Sequence, residues 1–150
     1  MFGKLQTLRS AVLPVIRGFM RSYAREVAYC KVYAYLIGGG FDGDFSQFDA
    51  DKLSEEDVAF ATDLIEGVIA NKAQLDEIVA SFSRSFKLHR IYLPDLAAIE
   101  LAIYEMQHVG TPHPVAINEA VGIVKKYSTV KSAGFVNGIL AAYARSLTND

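Results

Sequence analysis

Between Leu96 and Met106 the chain is apolar on almost every side, interrupted only by Glu100 and Glu105. A helix with no polar face has nothing to present to water, so it has to be enclosed by other elements. Pro94, tolerated in the first turn of a helix, marks where it opens, with Asp95 beside the positive end of the helix dipole. The flanking segments supply the enclosure. Arg21 to Ile37 carries Tyr23, Val27, Cys30 or Lys31, and Ala34 on recurrent helical spacings until Gly38-Gly39-Gly40 stops it. Ser54 with Asp57 three residues on is close to a capping box, and the helix that follows would bury Val58, Ala61, Leu64, Ile65 and Val68. A further helix restarts near Asn71 and runs through Leu75, Ile78, Val79 and Phe82. Beyond Pro112 and Pro114, Ile117, Ala120, Val121 and Val124 form one stripe, and Phe135, Val136, Ile139, Leu140 and Tyr143 form another. No useful length alternates polar and apolar residues with period two. The fold class is all-α.

The chain has 150 residues, 51% of them hydrophobic. That is enough to fill one domain and excludes a disordered polar chain. A single cysteine, Cys30, excludes an intramolecular disulfide and a cysteine-based zinc site, and suits a reducing compartment. The apolar runs fall well short of the roughly 20 residues a membrane-crossing helix needs.

A net charge of −2 excludes a uniformly basic nucleic-acid protein but conceals an asymmetry. Residues 1–40 hold six bases and one acid, and residues 41–66 hold nine acids and only Lys52. A basic arm beside an acidic segment is either a selective electrostatic footprint or a pair of ordinary solvated faces. Residues 1–20 read as a basic N-terminal extension to a single domain over residues 21–150. Residues 1–25, with Lys4, Arg9, Arg17, Arg21 and Arg25 and no acid, are also compatible with an organelle transit peptide.

Signs of catalysis are lacking. Gly38 to Gly40 follows a helix instead of preceding one, so it is a C-cap and not a phosphate loop. His89, His108 and His113 have no helical pairing with one another that would hold a metal. Cys30 lies on an apolar helix as a small core residue, and the helix dipole accounts for Glu55, Glu56 and Asp57. The expectation is no enzyme, no cofactor and no metal.

Three runs in the C-terminal half carry a resemblance: Ala116-Ile117-Asn118-Glu119-Ala120-Val121, then Lys125-Lys126-Tyr127, then Phe135-Val136-Asn137-Gly138-Ile139-Leu140. With Leu101-Ala102-Ile103-Tyr104-Glu105-Met106, Asp63-Leu64-Ile65-Glu66-Gly67-Val68 and Ala24-Arg25-Glu26 upstream, the sequence resembles the NusB transcription antitermination family from about Arg21 to Leu147. The resemblance implies about seven helices in two packed three-helix subdomains. It also implies a cytoplasmic factor that binds boxA RNA of ribosomal RNA operon transcripts together with a small-subunit ribosomal protein, within an RNA polymerase antitermination complex.

The residues offer a mechanism for this. Arg17, Arg21 and Arg25 are spaced by four, along one helix face that could neutralise successive phosphates. Tyr29 and Tyr33 continue the spacing and could stack on unpaired bases. The plainer readings are solvated arginines and a Tyr33 that belongs to the core. By resemblance, Phe135 and Asn137 lie near the RNA face, with packing and helix buttressing as their alternatives, and Asp95 and Glu105 fall in the region that meets the protein partner. Three departures bear on this. Glu100 and Gly134 stand where the family often has bases, and Lys131 stands where an acid is frequent, which returns positive charge to the RNA face. The alternative function is a helical protein–protein adaptor of the same fold that has lost RNA binding. An RNA-targeting module of the kind fused to RNA methyltransferases is a weaker reading, and homodimerisation is left open.

Overall fold

The computed structural model describes residues 21–83 and 87–148, so the basic extension 1–20, with Arg17, lies outside the described residues. Among those residues there are six α-helices and no strand: α1 (Ser22–Leu36), α2 (Glu55–Ala70), α3 (Lys72–Phe82), α4 (Leu93–Tyr104), α5 (His113–Tyr127) and α6 (Val130–Thr148). The described residues thus account for six of the about seven helices expected of the whole chain.

Local chemistry fixes most of the boundaries. The α2 capping box is complete: the Asp57 amide donates to Ser54 Oγ and the Ser54 amide donates to Asp57 Oδ2, each at 3.1 Å. Thr129 and Ser132 close the start of α6 in the same reciprocal way, at 3.2 and 3.4 Å. Helix α4 runs on into a π-helical turn, Glu105–Val109, which ends at Gly110 in the left-handed region at φ 80°. In the acidic segment, Asp42, Asp44 and Asp49 each accept the backbone N–H two residues on. These carboxylates therefore hold turns together, as short acidic side chains do.

The apolar stretch takes the central place its composition requires. Every residue from Pro94 to Met106 is buried, and α4 packs against each of the other five helices. One continuous core unites Ala28, Val32, Leu64, Ile65, Val68, Leu75 and Val79 with Ile99, Ile103, Val124, Val136 and Leu140. Gly67 of α2 meets Tyr104 of α4 face to face; a Cβ at Gly67 would overlap the Tyr104 ring. That close approach requires glycine.

Candidate nucleic-acid interface

Four of the residues singled out in the sequence are drawn inward. Arg25 is 1% exposed and forms a buried ion pair with Glu105, itself 2% exposed. Arg25 Nε donates to both Glu105 oxygens at 2.8 and 3.0 Å, and Thr111 Oγ1 donates to Glu105 Oε1 at 2.7 Å. This corrects the expectation that Arg25 neutralises a phosphate and that Glu105 meets a protein partner: both are spent on joining α1 to the end of α4. Tyr29 is also buried, tilted against the Tyr127 ring at 5.7 Å between centroids, so it is not an exposed stacking platform. Asp95, 5% exposed, accepts a hydrogen bond from Ser128 Oγ at 3.0 Å, and so is not presented on an open protein-binding face. Arg21 is half-buried, its guanidinium 4.7 Å from the centre of the Phe60 ring. Tyr33 is half-buried and packs on the core, while Asn137 is exposed on α6.

Other signature residues join the same helices. Glu26 of α1 accepts from Lys126 Nζ at 2.6 Å and from the Tyr127 hydroxyl. Bonding to Glu26, together with burial, pushes the Tyr127 hydroxyl up to about 12.

What remains at the surface converges on a groove of about 280 Å³ between the start of α4 and the start of α6. Arg90, Tyr92, Asp95, Lys131 and Phe135 are among its lining residues. Three of these, Lys131, Phe135 and Asp95, were singled out in the sequence. Arg90 and Tyr92 were not, although an exposed tyrosine two residues after a base and just before Pro94 was a readable signal. Tyr92 is 58% exposed. Arg90 and Lys131 are exposed and make no ion pair among the described residues. Pockets for larger ligands start at roughly 300 Å³, so the groove suits one flat ring system better than a bulky cofactor. Among the described residues no group of three or more His, Cys, Asp or Glu is placed to hold a metal ion, and no helix is long and apolar enough to cross a membrane.

Among the described residues, one buried helix enclosed by five others, with a small aromatic groove lined by two cations that make no ion pair there, defines an all-helical binding module. The chain belongs to the NusB family, whose model matches residues 22–145. It is 39% identical to the transcription antitermination protein NusB of Acetivibrio thermocellus, over 80% of this chain and 85% of that protein. Against the protein of the same name from Lacticaseibacillus casei it is 34% identical, over 84% and 95%. In fold it is similar to T. maritima NusB, with a TM-score of 0.75 at 24% identity over 83% of this chain and 90% of that one. The solution structure of NusB from Aquifex aeolicus aligns with a TM-score of 0.70 at 22% identity, over 87% and 92%. The family is one of transcription antitermination factors and not of enzymes.

Proposed function

We propose that this protein binds single-stranded boxA-like RNA in ribosomal RNA operon transcripts, together with a small-subunit ribosomal protein, as part of an RNA polymerase antitermination complex in the cytoplasm. The observation that carries the RNA half of this reading is the meeting of Arg90, Lys131, Tyr92 and Phe135 at one groove. Cations at a rim hold phosphates, and aromatic rings take unpaired bases, which is the usual route to sequence recognition in RNA. Arg17, in the N-terminal extension, is a further candidate phosphate contact. Arg21 and Tyr33 stay partly accessible on α1, and Asn137 is exposed on α6, so these remain candidate RNA contacts.

The test is an RNA titration at several salt concentrations, using a boxA-like strand and a scrambled control, with and without the ribosomal protein. Preference for boxA, sharpened by the partner, is the expected result. Arg90→Ala and Lys131→Ala should each weaken binding and reduce the salt slope by about one. Affinity unmoved by either substitution would remove the groove from the RNA path.

A second reading, the protein–protein adaptor, is favoured by the withdrawal of Arg25 and Tyr29 into the core. It predicts a tight complex with the ribosomal protein to which RNA adds nothing.

A further inference from the structure

The geometry points to the groove between α4 and α6 as a reader of one unpaired guanine, with the Asp95 carboxylate as the group that reads it. This rests on the RNA reading above and adds the identity of the base.

The groove combines three chemistries. Its rim carries Arg90 and Lys131, two cations without ion-pair partners among the described residues. Tyr92 and Phe135 supply flat apolar surface to the same space. Asp95 is the one acid of the lining, and it is 95% withdrawn from solvent. Its Oδ1 accepts from Ser128 Oγ at 3.0 Å, and among the described residues no other side-chain hydrogen bond engages the carboxylate. An ionised carboxylate offers about four acceptor positions and no donor. One of these is taken by Ser128, and the residue lines a space of about 280 Å³.

A carboxylate of this kind selects by what a base places opposite it. Guanine alone presents two adjacent donors, N1–H and the N2 amino group, and can give both to one carboxylate in a paired, charge-assisted contact. Adenine and cytosine set a ring-nitrogen lone pair beside their amino group, which would meet the carboxylate with like charge. Uracil flanks its single N–H with two carbonyl oxygens, with the same result. The cations at the rim suit the phosphates on either side of the seated nucleotide, and the rings suit its faces. The mostly buried position of Asp95 strengthens the choice, since a charged hydrogen bond counts for more, and a mismatched one costs more, where water is thin.

The experiment compares the affinity of the full chain for a 12-nucleotide oligouridylate with the same strand carrying one central guanosine, inosine or adenosine. Inosine keeps N1–H and lacks the amino group, so it isolates the second donor without altering the protein. We expect the guanosine strand to bind roughly tenfold tighter than the other three, the discrimination usual for a good bidentate contact. In Asp95→Asn the ratio of guanosine to uridine strands should fall to near one, with folding checked by circular dichroism. If the variant does not fold, the guanosine–inosine comparison on the unaltered protein decides. Equal binding of guanosine and inosine strands, or a guanine preference that survives Asp95→Asn, overturns the inference. Equal, salt-dependent binding of all four strands overturns it while leaving the RNA reading standing. Binding of none of them, nor of a boxA-like strand, overturns both.

Discussion

Replacing Glu100 by glutamine should change how stability depends on pH more than it changes stability itself. Glu100 is 0% exposed at the middle of α4. Its Oε1 accepts from Lys72 Nζ at 2.7 Å, Lys72 is shared with Asp76, and Oε2 has no partner. Burial raises the carboxyl, Lys72 pulls it down, Asp76 pushes it up, and the outcome is a value near 8 against an ordinary 4.5. The folded protein therefore holds a proton that the unfolded chain gives up. Below pH 4.5 both states are protonated and the contribution to stability is complete. From there upward the unfolded chain ionises first, and stability falls by up to about 1.4 kcal/mol per pH unit until the folded group titrates near pH 8. The whole interval is worth at most about 5 kcal/mol, and relaxation around the Lys72 ion pair brings the expectation to about 2–4 kcal/mol. Glutamine has the shape of the protonated acid and does not titrate. Urea unfolding of both proteins at pH 5, 6, 7, 8 and 9 gives the difference directly, since every other titrating group cancels. Near pH 5 the two should agree within about 1 kcal/mol, the size of one altered hydrogen bond. By pH 9 Glu100→Gln should be the more stable by the amount above. A difference curve that is flat from pH 5 to 9 would refute the reasoning.

Three further outcomes are expected. Arg25→Ala should cost about 3–5 kcal/mol by stranding Glu105, and the double replacement Arg25→Met with Glu105→Leu should recover most of it in chemical denaturation, because the pair and not either charge is what the interior tolerates. Gly67→Ala should destabilise by about 1–3 kcal/mol and lower the thermal midpoint, because the new Cβ overlaps the Tyr104 ring; Tyr104→Ala in the same chain should relieve the clash. Gly134→Lys, at an exposed position where a Cβ meets nothing within 4 Å, should stabilise α6 by about 0.5–1 kcal/mol in thermal melting. Placed beside Phe135, the new lysine should also steepen the salt dependence of RNA binding by about one.

What could be read from the sequence was local. The Ser54–Asp57 capping box spans three residues and needs nothing from the rest of the fold, and it is present as read. The Leu96–Met106 stretch announces its own burial because it has no polar face to offer. Arg25 shows where this stops. A spacing of four places it on one face with Arg21, but not which way that face turns, and the residue that decides this, Glu105, lies 80 positions away. Tyr29 fails for the same reason, its orientation set by Tyr127 from α5. The groove is assembled from residues 90–95 and 129–135, segments that periodicity treats as two unrelated helix starts. The base–tyrosine–proline spacing of Arg90, Tyr92 and Pro94 is visible in the sequence, but its meeting with Lys131 and Phe135 is not.

The runs that carried the family resemblance turn out to be mostly joints between helices. Glu26 is held by Lys126 and Tyr127, Arg25 by Glu105, and Tyr104 lies on Gly67. Such joints specify the bundle, and they would be needed whatever the bundle bound. Binding chemistry has to sit where side chains are still accessible to a partner, as Lys131 and Arg90 are. Lys131 makes the groove rim wholly cationic, with Asp95 left as the one acid of the lining. A cationic rim raises affinity for any phosphate backbone and carries no sequence information. On the RNA reading, selectivity then falls to the floor of the groove, where Asp95 is shielded from water and Tyr92 and Phe135 limit what can enter.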